Sequence, residues 1–118
     1  MYHRFVLIEA PFGNVHGHDT DKPITTTSDE AKAVLGDGEI GSHPYTVMNF
    51  ALLMYYRVDG AKAQLPTNPK MMAMQGTVLF GISRGQELHG LTDEQFEIVA
   101  NCLAAQMNSS PAQLTHFI

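Results

Sequence analysis

The segment Ser42–Gly60, SHPYTVMNFALLMYYRVDG, is the longest apolar stretch of this chain and decides how the rest can fold. Ser42 is a suitable N-cap, Pro44 falls in the first turn, and Gly60 can adopt the left-handed conformation that ends a helix. The pattern therefore predicts a buried central helix over about residues 43–58. Its apolar residues follow the i, i+3, i+4, i+7, i+11 spacing of one helical face: Val47, Phe50, Ala51, Met54 and Val58.

Two short runs outside this segment are rich in β-branched and aromatic residues. They are His3–Ala10 and Thr77–Ser83, and both predict strands. The Met71–Met74 run could pair with the second of them as a hairpin around Gln75-Gly76. Between the first strand and the central segment, residues 13–27 are polar and rich in turn-forming types, so they predict a long loop.

Two capping boxes mark the starts of further helices. Thr27 precedes a short helix over residues 28–35, and Thr92 precedes a C-terminal helix over about residues 93–107. Strands near both ends with helices between them indicate an α+β fold. We expect a small, mostly antiparallel sheet of about three or four strands, packed by the central helix and the C-terminal helix.

Length and composition exclude several classes of protein. A chain of 118 residues with 44% hydrophobic content is predicted to form a single globular domain over residues 1–118. The net charge of −5 is opposite to that of most nucleic-acid-binding proteins. The lone Cys102 cannot form an internal disulfide, and the N-terminal apolar run is too short for a signal or membrane segment. We therefore expect a cytoplasmic protein with no cofactor and neither a nucleic-acid nor a membrane partner.

The segment from His16 to Asp21, HGHDTD, is a candidate metal site. Residues two apart on an extended segment point to the same side, so His16 and His18 could offer two imidazoles to one ion. Asp19 or Asp21 could supply an oxygen ligand. A set of His16, His18 and Asp21 would make this a small metal-dependent enzyme or metal-binding protein. The alternative is a solvated polar loop.

Residues 36–41, GDGEIG, match the G-x-G-x-x-G pattern of nucleotide-binding loops. The context argues against that function, because a helix and not a strand is predicted before the motif. Asp37 and Glu39 would also place negative charge beside the phosphates. A flexible acidic connector fits better. A small-ligand-binding protein that uses this connector and the loop at Pro66–Pro69 remains a further alternative.

One face of the predicted central helix has the composition of a protein interface, which is enriched in aromatic residues and arginine. This face would either be covered within the domain or meet another chain. No G-x-S-x-G, P-loop or paired-carboxylate motif appears, so no catalytic residue is assigned. The leading hypothesis is a non-enzymatic protein-binding module that meets a partner protein or a second copy; a phage- or mobile-element-type inhibitor would fit this size and charge. The residues of this face are Tyr45, Asn49, Leu53, Tyr56 and Arg57.

Overall fold

The computed structural model describes residues 3–10, 12–60, 62–68 and 71–105. Six strands form one antiparallel sheet in the order β2-β1-β7-β4-β3, with β8 paired to β7, while β5 and β6 form a separate pair. No helix in these ranges is long and apolar enough to span a membrane. In chain order the elements are β1 (His3–Glu9), β2 (Asn14–Thr20), α1 (Asp29–Leu35), β3 (Ile40–Val47), β4 (Phe50–Arg57), β5 (Thr67–Asn68), β6 (Met71–Gln75), β7 (Val78–Arg84), β8 (Glu87–His89) and α2 (Asp93–Ala105).

The predicted central helix is wrong, and so is the sheet of three or four strands. The segment that was expected to be helical over about residues 43–58 forms β3 and β4, paired from Ile40–Arg57 to Val47–Phe50. β4 lies inside the sheet between β3 and β7, and its residues pack into the core on both faces of the sheet. A strand that is buried on both sides reads as a continuous apolar run, which also satisfies a helical template.

The turn between β3 and β4 consists of Met48 and Asn49 alone. Met48 has a φ of 52° and its side chain is 67% exposed. Positive φ at such a position is normally supplied by glycine or asparagine, so the sequence carries no conventional hairpin signal here.

In a two-residue hairpin the residues on either side of the turn form a hydrogen-bonded pair. Every second residue of β3, counted back from Val47, therefore bonds to β4. Pro44 is not one of these residues. Its backbone faces the open edge of the sheet, so its missing N–H removes no hydrogen bond between β3 and β4.

One helix of the described residues packs on each face of the main sheet. On the first, which we call the α2 face, strand side chains pack with Val99 and Leu103 of α2. On the second, the α1 face, strand side chains pack with Ala31 and Leu35 of α1. The capping box predicted at Thr92 is confirmed, since its hydroxyl accepts from the Gln95 backbone N–H and the Gln95 side chain accepts from the Thr92 N–H. The N-cap of α1 is Ser28 instead of the predicted Thr27.

One predicted loop and one predicted hairpin also differ from the structure. The polar segment 13–27 contains β2, which pairs with β1 along its whole length from His3–Thr20 to Glu9–Asn14. β6 pairs with β5 and not with β7, so the predicted methionine hairpin is wrong. The fully buried side chain of Asn68 donates to the carbonyls of Ile8 and Gly76, which links β5 to the main sheet.

Candidate functional site

A cleft with a volume of about 560 Å³ opens on the part of the α1 face that α1 does not cover. Residues from four separate segments surround it: the chain before α1, β3, β4, and the end of β7 with the turn that follows it. The side chains around it are hydroxyls, one amide, one leucine and one tyrosine, and none of them carries a charge at neutral pH. The lining residues are Thr25, Thr26, Thr27, Ser42, Leu53, Tyr55, Ser83, Gly85 and Gln86.

Tyr55 fixes one wall of this cleft. Its ring is 2% exposed, and its hydroxyl donates to the carbonyl oxygen of Ile24 at 3.3 Å. Ile24 in turn exchanges backbone hydrogen bonds with Leu88 of β8 at 2.9 and 2.6 Å. Burial of the ring, with a smaller contribution from the charge of Glu87, raises the pKa of Tyr55. The phenol therefore stays protonated and keeps donating this bond at physiological pH.

The two histidines of the predicted metal site lie on β2 and point to the α1 face. His16 Nε2 is 2.7 Å from Glu9 Oε1, and His18 Nε2 is 2.9 Å from Glu30 Oε1 on α1. Asp21 lies beyond the end of the strand. Among the residues that the structure describes, no three His, Cys, Asp or Glu side chains are grouped so that they could hold a metal ion.

The opposite side of β2 packs against α2. A Cβ at Gly17 would lie 3.1 Å from Cζ of Phe96, so the absence of a side chain lets the helix approach the strand. Asp19 accepts two hydrogen bonds from Arg4, at 2.9 and 3.2 Å, and the guanidinium lies 5.4 Å from the centroid of the Phe96 ring. The hydrogen bond from Arg4 lowers the pKa of Asp19.

The five residues of the predicted interface face do not share one surface. Tyr45 is buried on the α2 face, with its ring centroid 5.4 Å from that of Phe80, and Tyr56 packs at the margin of the same core. Asn49 is in the exposed hairpin turn and Leu53 lines the cleft. Arg57 is buried beneath the connector that follows α1. A partner-binding role for any of the five stays a prediction.

Two glycines of the glycine-rich connector, Gly36 and Gly38, lie against the side chain of Arg57. The guanidinium donates to both carboxylate oxygens of Asp59 and, from Nη1, to the Leu35 carbonyl at 3.4 Å. A Cβ at Gly36 would lie 2.5 Å from Nη1, and one at Gly38 would lie 2.4 Å from Nε. The hydrogen bond to Asp59 raises the pKa of Arg57, so the buried group stays charged. In this structure the absence of side chains in the motif lets the guanidinium of Arg57 approach the backbone closely.

β2 is also an outer strand of the sheet. It pairs with β1 on one side, and no described strand pairs with its other side. The sequence prediction missed it because Gly17 and Asp19 are typical of loops. The available signal was an alternation of period two, in which His16 and His18 point one way while Gly17 and Asp19 point the other. No family model, curated protein or solved structure matches this chain, so the geometry of these features carries the functional argument.

Proposed function

We propose that this protein is a non-enzymatic binding module that pairs an extended segment of a partner protein with the outer edge of β2. The observation that carries the proposal is this edge itself: seven residues in unbroken register with β1, with no further strand described beside them. Such an edge offers a row of backbone N–H and C=O groups for strand addition.

The two outer strands of the sheet differ in how well they could accept a strand. β3 carries Pro44, which removes one outward donor and is a common means of blocking an edge. β2 contains neither proline nor lysine, the residues that most often protect an edge. Its side chains are held by contacts within the chain, with His16 and His18 bonded to glutamates and Asp19 bonded to Arg4. The strand is therefore ordered before a partner binds, which lowers the entropic cost of association.

The charge around β2 indicates the kind of partner. Carboxylates flank the strand on both faces: Glu9 and Glu30 on the α1 face, Asp19 and Asp93 on the α2 face. The whole chain carries a net charge of −5. A partner segment that bears lysine or arginine would be attracted to this edge and oriented by it.

The test compares variants that introduce lysine on the two edges. Wild-type protein would be used to capture a partner from host lysate, and hydrogen–deuterium exchange would then be measured on the recovered complex. We expect slower exchange at alternate amides of β2, and loss of capture by an Asn14→Lys/His16→Lys variant. The matched control is Thr46→Lys, an exposed position on β3. Protection confined to another surface, or equal capture by both variants, would contradict the proposal. Sedimentation analysis of wild type distinguishes a second copy from another protein as the partner.

A further inference from the structure

The cleft on the α1 face is lined by several largely exposed polar side chains. Within the described part of the chain, the hydroxyls of Thr26, Ser42 and Ser83 and the amide of Gln86 have no side-chain partner. These four groups come from three separate segments of the chain, yet all line one cavity. Hydroxyls and amides both donate and accept, so together they can match a ligand that does the same.

The lining also restricts the charge and polarity of a ligand. A charged ligand would find no counter-ion among the lining side chains and would lose hydration without compensation. A wholly apolar ligand is also disfavoured, because polar and apolar atoms contribute about equally to the lining and the hydroxyls and amide would lose their hydration without a partner. The volume of about 560 Å³ lies within the range of about 300–1,000 Å³ that is typical of small-molecule sites.

A peptide is a poorer match than a small molecule. One wall of the cleft is β3, and a peptide extending past that wall would be expected to pair with its edge. Pro44 offers no N–H at the centre of this edge. A compact ligand needs no such pairing.

We propose that this cleft binds a neutral, hydroxyl-rich small molecule of the size of a mono- or disaccharide. Ser42 and Ser83 belong to the strands on either side of β4. In this arrangement their hydroxyls bond to the ligand together with Thr26 and Gln86, and an apolar face of the sugar ring lies on Leu53. The site is separate from the outer edge of β2 and does not depend on the function proposed for that edge.

The experiment uses the full chain and saturation-transfer difference NMR. The probes are glucose, galactose, maltose, cellobiose and sucrose, each at about 10 mM to detect millimolar affinities, with glucose 6-phosphate as the anionic comparison. We expect transfer to at least one neutral sugar and about tenfold weaker binding of the phosphate. Amide and methyl shifts measured on labelled protein should change at Leu53 and Thr26.

Two variants make the test specific. Ser42→Ala/Ser83→Ala removes two of the proposed hydrogen-bonding groups and is expected to weaken binding about tenfold or more. Thr46→Val is the matched control, because Thr46 is exposed on β3 but does not line the cleft. Should the double variant fail to fold, Gln86→Ala in the exposed turn replaces it. The proposal is overturned if no neutral sugar binds, if the phosphate binds equally well, or if removal of the lining groups leaves the affinity unchanged.

Discussion

Gly38 gives the sharpest test of how Arg57 is held. A Cβ at Gly38 would lie 2.4 Å from Nε, 2.6 Å from Cζ and 2.6 Å from Nη2 of the guanidinium. Ordinary van der Waals contact begins near 3.4 Å, so Gly38→Ala requires a displacement of about 1 Å. The hydrogen bond from Nη1 to the Leu35 carbonyl is already 3.4 Å long, and it would be broken by such a movement.

Two opposing effects determine the size of the change. A hydrogen bond that involves a charged group contributes about 1.5–3 kcal/mol, which is the expected loss when the guanidinium moves. Gly38 does not have a positive φ, so alanine can adopt its backbone conformation and gains about 0.4–1 kcal/mol by restricting the unfolded chain. We therefore expect Gly38→Ala to lower the free energy of unfolding by about 1–2 kcal/mol.

A double-mutant cycle identifies Arg57 as the cause. In an Arg57→Ala background there is no guanidinium to displace, so Gly38→Ala should become neutral or slightly stabilising. Gly36→Ala is the control, because Gly36 has φ 102° and ψ 163°, a region that is essentially restricted to glycine. Its cost should persist in both backgrounds. Urea unfolding followed by circular dichroism gives the free energies of all six proteins.

The outcome that refutes this reasoning is a cost of Gly38→Ala that is the same with and without Arg57. Gly38 would then be required by the backbone and not by the guanidinium. A Gly36→Ala variant that is rescued by Arg57→Ala would likewise show that steric contact, and not the conformation of Gly36, governs that position.

Three further predictions concern the hairpin turn, the ion pair on β2 and the histidines. Met48→Asn should raise the melting temperature by a few degrees, since asparagine tolerates positive φ and about 1 kcal/mol of strain is relieved; an unchanged or lower value would contradict the strain. The pKa of Asp19 is lowered in the folded state by Arg4, so its contribution is present above the unfolded-state pKa of about 3.9 and is lost as pH falls through the folded-state pKa. Asp19→Asn should therefore cost less than about 1 kcal/mol at neutral pH, because the pair is partly exposed, and nothing at the acid limit; a cost that is independent of pH would exclude the ion pair as its source. Purified protein should contain far less than one zinc per chain, because His16 and His18 already bond to glutamates; stoichiometric zinc that is lost in His16→Ala/His18→Ala would support the metal-binding alternative.

Local signals in the sequence were sufficient to predict an element where a single rule determined its structure. The short β-rich run that begins at His3 forms β1, and the capping box at Thr92 begins α2 at Asp93. The prediction for the Ser42–Gly60 segment was wrong because the turn at Met48 lacks glycine, so two strands appeared as one continuous apolar element. Two features of this segment nevertheless favoured strands. They are the aromatic and β-branched residues near Val58 and a proline of the kind found in edge strands.

The candidate sites were harder to predict because they depend on contacts between distant segments. The cleft combines residues from Thr25 to Gln86, and no spacing in the sequence indicates that they meet. The pattern of β2 was hidden for a physical reason. Gly17 packs closely against Phe96 and Asp19 bonds to Arg4, and both partners are far away in the chain, so these residues are not those that favour strands.

The cleft lies on the face of the sheet that is packed by the shorter helix. At about 1.5 Å per residue, the 13 residues of α2 extend about 20 Å and the seven of α1 about 10 Å. Part of the α1 face stays uncovered, and the cleft opens there. The uncovered part must stay in contact with water, which accounts for polar residues such as Ser42 and Ser83. Solvation alone would be met as well by lysine or glutamate, which are mostly exposed in folded proteins. The absence of charge from the lining is therefore the feature that hydration does not explain, and it is the feature on which the assignment of a neutral ligand depends.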